Sequence, residues 1–363
     1  MKSSNHGRKT GVRALRVSAA DVAREAGVTP ATVSYVFNGR GGVSAEMRQR
    51  VLRIAREMGY PLERHHAKLD ADRTRVLGLV LAHIDNPFYA DVAAGTIDAA
   101  RGQDYEVFLA HTQESPETLA GVVEAMITRR VDGIVLTVLH PDDGGIVRRL
   151  RRARMPFVQL IRRIPDLPAD FIGIDDVSAA EEILGHVVGH GYTDLAVVTG
   201  PHNSSSSGSR AEAFVATAQR LGAPVPSHRR FTTSLTAEGG NHAAQHLIET
   251  GDVPRAIVCG SDAIASGVIG SLRGNGIRIP EDVAVTGIDG VFPPASMLAE
   301  LTTICVPRRH MAELAVDQLI RRIDGAGGPT RESIRPYELH IGTTCGCPPH
   351  AIPPVPGALA RAT

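Results

Sequence analysis

The stretch DVAREAGVTPATVSYVFNG, residues 21–39, joins two short helical patterns through a single glycine. Ser18 precedes an apolar-periodic run of Val22, Ala23 and Ala26. With Asp21 three residues on, this is a capping-box arrangement, and Gly27 is placed to end the helix. Thr29 then offers an N-cap, and Pro30 takes the first helical position, where its missing N–H costs no intrahelical bond. The spacing predicts a helix from about Thr29 to Asn38 that buries Val33, Val36 and Phe37 and turns Pro30, Ala31, Ser34 and Tyr35 outward. Two helices this short bury too little alone, and a third is expected from Ser44, with Glu46 in its first turn and Met47, Val51, Ile54, Ala55 and Met58 at helical spacing before Gly59. The unit reads as a helix-turn-helix inside a three-helix domain. An ordinary helical hairpin fits the same local pattern, so charge must separate the two.

Lys plus Arg and Asp plus Glu balance at 39 each. Residues 1–68 nevertheless hold 13 basic and five acidic residues, a surplus of eight that the remaining chain mirrors as a deficit of eight. A basic head on an acidic body is the electrostatic footprint of phosphate binding, because neutralising phosphates releases condensed counterions.

At 363 residues the chain has room for two or three domains with sizeable cores. Four cysteines, Cys259, Cys305, Cys345 and Cys347, make no disulfide framework in a chain of this size. There is no 18-residue apolar run, and MKSSNHGRKTGVRALR at the start is basic without a hydrophobic centre, so neither a membrane span nor a signal peptide is expected and a cytoplasmic location is. The three lysines all lie before residue 69, which excludes a P-loop lysine or a Schiff-base nucleophile from the body.

From about residue 74, short apolar runs alternate with helical patterns: residues 76–82, 105–111, 131–138, 156–161, 171–175, 194–200, 255–262 and 283–289. Val-rich and Ile-rich runs of this kind imply parallel sheets covered on both faces, and about 270 residues of the pattern imply two α/β lobes. Ligands bind such sheets beyond the carboxyl ends of the strands. Those ends carry Asp85, Asn86, Thr112, Gln113, Arg162, Asp175, Asp176, Ser261, Asp262 and Asp289, a set suited to a polar small molecule, although Asp or Asn after a strand also serves as a turn or helix cap. Arg210 follows the polar stretch NSSSSGS and is open to two readings, a ligand contact or a solvated side chain. CGC at 345–347 reads as an isolated pair of surface thiols in a Pro-rich tail, and no Cys/His spacing signals a metal. No Gly-x-Ser-x-Gly elbow, Walker loop or His-Glu-x-x-His is present, so no enzyme is expected, and no cofactor.

In this order, DVAREAGVTPATVSYVFNG, VSAEMRQRVLRIAREMGY, VLGLVLAHIDNPFYADVAAGTIDAARGQDYEV, RRVDGIVL, DVAVTGIDG and LTTICVP resemble the LacI/GalR family of bacterial transcription repressors. The resemblance runs from about residue 17 to about 344 and implies an all-α DNA-binding headpiece followed by a two-lobed α/β core like that of periplasmic sugar-binding proteins. The domains implied are a basic tail over 1–16, the helix-turn-helix domain over 17–60, a hinge over 61–73, an effector-binding and dimerisation core over 74–344 and a Pro-rich tail over 345–363. Such regulators are homodimers, sometimes tetramers, on pseudo-palindromic operators.

Carried over by position, the DNA-binding set is Ser18, Thr29, Pro30, Ala31, Thr32, Ser34, Tyr35, Asn38 and Leu69. Pro30 and Ala31 offer only apolar contact, while Tyr35 stands where many relatives have arginine. Thr32, Ser34 and Asn38 match phosphate or capping positions. The hinge GYPLERHHAKLD departs from the family pattern: Leu69 falls at the position of the minor-groove wedge, but His65 and His66 replace small or apolar residues and Asp70 adds a charge. The effector set implied is Asn86, Phe88, Asp176, Arg210, Asp262 and Asp289, an arginine and carboxylates that fit a sugar-like polyol. The function implied is a ligand-responsive repressor of carbohydrate-use genes; the alternative is a cytoplasmic sugar-binding protein without a DNA role.

Overall fold

The computed structural model describes residues 17–37, 43–60, 73–291 and 301–347. The chain divides into two compact units, the first holding the headpiece and the second the core.

In the headpiece, α1 (Ala19–Ala26) is closed by the capping box the sequence announces. Asp21 N–H donates to Ser18 Oγ at 3.3 Å and Ser18 N–H donates to the Asp21 carboxylate at 2.9 Å. Gly27 ends it at φ 67°, a left-handed conformation that costs glycine little. The next helix, α2 (Pro30–Phe37), starts on Thr29, whose Oγ1 accepts from Thr32 N–H at 3.1 Å. It buries Val33, Val36 and Phe37 against Val22, Ala23 and Ala26. The third, α3 (Ala45–Glu57), is capped by Ser44 and contributes Val51 and Ala55 to the same small core, with Phe37 stacked on Tyr60 at 5.0 Å. Each helix is too short to persist alone, and this shared cluster holds the three together.

The core unit contains two six-stranded sheets among the described residues. Lobe 1 is built on β1 (Val76–Leu81), β2 (Glu106–His111), β3 (Gly133–Leu136), β4 (Phe157–Leu160), β5 (Asp170–Gly173) and β11 (Glu332–Ile334), in the order β11-β5-β4-β3-β1-β2. Lobe 2 is built on β6 (Leu195–Thr199), β7 (Arg230–Thr232), β8 (Ala256–Cys259), β9 (Ala284–Asp289), β10 (Thr302–Cys305) and β12 (Glu338–His340), in the order β12-β10-β9-β8-β6-β7. Every pairing is parallel except β10 with β12. Leu79 lies beside Leu109 on one side and Val135 on the other. All eight apolar runs read as strands are strands, while the short edge strands β7, β11 and β12 and the Thr-rich β10 are additional.

Helices pack on these sheets. On lobe 1 lie α4 (Pro87–Arg101), α5 (Pro116–Thr128), α6 (Gly144–Arg152) and α11 (Arg308–Ile323); on lobe 2 lie α7 (Asp176–Gly189), α8 (Ser205–Arg220), α9 (Ala237–Glu249) and α10 (Asp262–Gly274). The α9 and α10 crossing is very close. A Cβ on Gly267 would sit 1.8 Å from the Ala237 carbonyl and one on Gly240 2.0 Å from that of Ile264, so both sites require glycine. The chain passes between lobes before α7, between β10 and α11, and between β11 and β12, which leaves the carboxyl ends of both sheets facing a common cleft. No helix among the described residues is long and apolar enough to cross a membrane.

Candidate functional site

The cleft is organised around Arg210. Ser206, Ser207 and Arg210 lie within one helical repeat near the start of α8, so they share a face, and all three are buried. The Arg210 guanidinium donates from Nε to Asp176 at 2.7 Å and from Nη1 to the Gly260 carbonyl at 2.8 Å, and stands 3.6 Å from Asp289. Its exposure is 6%, so this is a desolvated cation whose charge is answered by carboxylates rather than by water. Burial pushes the Asp289 carboxyl up to about 7 against the pull of Arg210, with the neighbouring charge of Asp262 acting in the same direction as burial. Burial likewise raises Asp176. Asp289 also holds φ 138°, and Ile161 across the cleft holds φ 72°, two strained backbone positions at one site.

Around Arg210 the two lobes enclose a cavity of about 30 Å³. Lobe 1 supplies Asn86, Phe88, Tyr89, Ile161 and Arg162; lobe 2 supplies Ser206, Ser207, Arg210, Leu235, Ser261 and Asp289. That volume suits one water and not a sugar, so a ligand of sugar size needs the lobes further apart. Asn86 is both cap and bridge: its side chain accepts from Phe88 N–H at 3.0 Å and donates to the Leu235 carbonyl of the other lobe at 3.4 Å. A larger hollow of about 620 Å³ lies beside the cleft, lined by Arg163, His202 and Glu212 among others, and lacks a comparable set of buried charges.

Of the residues expected at the effector site, Asn86, Phe88, Arg210 and Asp289 line this cavity. Asp176 grips Arg210 and lines the adjoining hollow of about 260 Å³. Asp262 lines neither: its carboxylate accepts from Thr303 Oγ1 at 2.6 Å and Val291 N–H at 2.7 Å and so fastens α10 to β10. The reading of Arg210 as a solvated side chain is excluded by its burial.

In the headpiece, Ser18, Thr29, Pro30, Ala31, Ser34 and Tyr35 are exposed and Thr32 half-exposed, whereas Asn38 and Leu69 lie outside the described residues. Thr29 and Thr32 face each other at 2.9 Å in the cap of α2. Arg50, Arg53 and Arg56, counted in the sequence only as part of the basic surplus, recur every third residue along α3 and are all exposed.

Against known proteins, a model of the bacterial regulatory proteins of the lacI family matches residues 19–61, and a model of periplasmic binding proteins and the sugar-binding domain of the LacI family matches residues 74–342. The chain belongs to the LacI family. As a LacI-family protein it is a transcriptional regulator with a DNA-binding and a ligand-binding part, not an enzyme. It is 33% identical to the regulator MalR of Streptomyces coelicolor over 91% of this chain and 97% of that one, and 29% identical to the ribose operon repressor of Escherichia coli over 84% and 92%. Among solved structures, a transcriptional regulator CelR–cellobiose complex superposes with a TM-score of 0.67 at 25% identity, covering 91% of this chain and all of the other. The lac repressor dimer bound to operator and anti-inducer shares the fold at 22% identity and a TM-score of 0.67.

A second polar cluster of the LacI-family core gathers around Arg162, whose partners Tyr89, Glu114 and His140 went unread in the sequence. Arg162, 1% exposed, is held by Glu114 through two hydrogen bonds of 2.7 and 2.8 Å and by Tyr89 Oη at 3.2 Å, while His140 Nε2 lies 3.1 Å from the same carboxylate. Burial works against ionisation at Glu114, but His140 and Arg162 outweigh it and hold the carboxyl well below the usual range. Arg162 carried a signal, a cation directly after an apolar strand; Tyr89, Glu114 and His140 carried none, because they meet only through the fold.

The structure also corrects the reading of CGC as surface thiols. Cys345 is fully buried, and both cysteines rest against His186 and His190.

Proposed function

We propose that this LacI-family chain is a repressor of carbohydrate-use genes that binds a pseudo-palindromic operator as a homodimer and is switched by a sugar-like effector held between the lobes at Arg210. The observation that carries the proposal is the buried Arg210 with Asp176 and Asp289 at an interlobe cleft, in a chain that also carries a helix-turn-helix with an exposed α2 face. Sugar hydroxyls donate to carboxylates and accept from a guanidinium, so this set can bind a polyol at both kinds of atom. The ribose operon repressor and the cellobiose complex among its relatives point to the same ligand class. Asn86, Phe88, Asp176, Arg210 and Asp289 hold the effector, with Asp262 positioning Asp289 and the start of β10.

On the DNA side, Pro30, Ala31 and Tyr35 meet base edges, with apolar contact from the first two and one hydroxyl from the third, while Ser18, Thr29, Thr32, Ser34, Asn38 and the arginines of α3 fix register on the phosphates, and Leu69 stands at the hinge. The working domains are the headpiece over 17–60, the hinge over 61–73 and the core over 74–344, in a cytoplasmic protein. Effector binding changes the lobe separation and through the dimer the spacing of the headpieces, two sites coupled through two global states.

The test is binding of the purified protein to duplexes from its own promoter neighbourhood over a salt series, with and without a panel of sugars. The expected result is steeply salt-dependent binding to a palindrome, altered by one sugar, with Arg210→Ala binding the palindrome normally but ignoring the sugar. No preference for any promoter duplex over random DNA overturns the operator assignment, and a sugar response that survives Arg210→Ala overturns the site.

A further inference from the structure

At the far end of α7 from Asp176, four side chains of metal-ligand type converge. His186 and His190 stand four residues apart, on one face of the helix end. Cys345 and Cys347 arrive from the segment that follows β12. His186 Nε2 lies 3.3 Å from Cys345 Sγ and 3.8 Å from Cys347 Sγ, His190 Nε2 lies 3.1 Å from Cys347 Sγ, and the four ligand atoms all fall within 4.8 Å of one another. The two imidazoles are 4.7 Å apart and nearly perpendicular, as two rings aimed at one point would be.

We propose that His186, His190, Cys345 and Cys347 form a structural zinc site. Four-coordinate zinc with sulfur at about 2.3 Å and imidazole nitrogen at about 2.0 Å spaces its ligand atoms by roughly 3.3–3.8 Å in a tetrahedron; the two His186 S···N separations, 3.3 and 3.8 Å, lie at the limits of that range, and the His190–Cys347 separation of 3.1 Å lies just below it. Two thiolates and two imidazoles select zinc over the oxygen-seeking magnesium and calcium. All four positions are filled by protein, which marks a closed structural site rather than a catalytic one.

The surroundings favour the same ligand state. Thr302 Oγ–H donates to Cys345 Sγ at 3.0 Å, an outer-shell bond that orients the sulfur and suits a thiolate. Gly346 between the cysteines holds φ 89°, and a Cβ there would come 2.9 Å from Tyr192 Oη, so the tight turn that sets both sulfurs on one side is restricted to glycine. Thr302 also donates its N–H to Thr344 Oγ1 at 3.0 Å and accepts from Gly342 N–H at 3.0 Å, which ties the cysteine segment to β10. The ion would therefore clamp this segment and β10 onto α7. The site is independent of the effector cleft, which lies about 20 Å away along a 14-residue helix.

The experiment is titration of the full-length, tag-free protein with cobalt(II), after reduction and chelator treatment, followed by displacement with zinc(II). One cobalt per chain is expected, with the strong visible band of tetrahedral thiolate coordination; zinc erases the band and raises Tm by about 5 °C. Cys347→Ser and His190→Gln, both at the accessible edge, are expected to weaken metal binding by about 100-fold with an unchanged circular dichroism spectrum. A wild-type protein that shows no such band, or whose two neighbouring cysteines only oxidise to a disulfide, overturns the proposal. So does a band that persists at full strength in the Cys345→Ser/Cys347→Ser variant.

Discussion

Each lobe buries one arginine against the cleft, and the two are balanced differently. Arg162 in lobe 1 has a single carboxylate partner, Glu114, which it grips with both forks, and Tyr89 and His140 complete the group. Arg210 in lobe 2 meets Asp176 and Asp289, with Asp262 close behind them, so carboxylates outnumber the cation. The first set is self-neutralised and serves as a wall. The second keeps surplus acceptor capacity and a carboxyl poised near neutral pH, which is what a ligand rich in hydroxyl donors requires.

Breaking the wall should cost most in stability. Arg162→Met leaves the half-buried Glu114 without its cation, and urea unfolding should show a loss of about 3 kcal/mol. Arg210→Ala should act most visibly on the effector: calorimetric affinity for the sugar is expected to fall by about 100-fold or more, because buried charge contacts to a ligand are worth about 2–5 kcal/mol. The pH dependence sharpens the contrast. Asp289 is raised from 3.8 to about 7, so sugar affinity should strengthen as pH rises from 6 to 8 and supplies the ionised acceptor, a trend that Asp289→Asn abolishes. The linked stability runs the other way: a raised carboxyl favours the neutral form in the folded state, so its contribution is complete below about 4 and is lost as pH rises through about 7. The smallest effect is expected from Tyr89→Phe, which removes one hydrogen bond to Arg162 and should cost about 1 kcal/mol of stability.

The two regions were also unequally legible in the sequence. The headpiece was readable almost residue by residue, since capping boxes, Pro30 at a helix start and Gly27 at a helix end act over three or four residues. The central strands were equally plain, because strands buried on both faces are continuously apolar. The edge strands escaped: β7 is only RFT and β11 only ESI, too short and too polar to carry a period. Within the cleft, Arg210 could be picked out by resemblance, but whether Asp262 faces the ligand or Thr303 is decided by packing between α10 and β10. The cysteine pair stood out at a spacing of two residues but was read as surface thiols, and the histidines four residues apart went unread; His190 and Cys345 lie 155 positions apart, and only the fold brings them together.

The most direct test of the account is the sugar-induced change in operator affinity, measured side by side in the wild type and in Asp289→Asn at pH 8. Equal operator binding by both proteins is expected without sugar, with a clear shift on adding sugar in the wild type and a shift at least about tenfold smaller in the variant. An undiminished sugar response in Asp289→Asn would contradict it, and would move the effector away from the lobe 2 carboxylates.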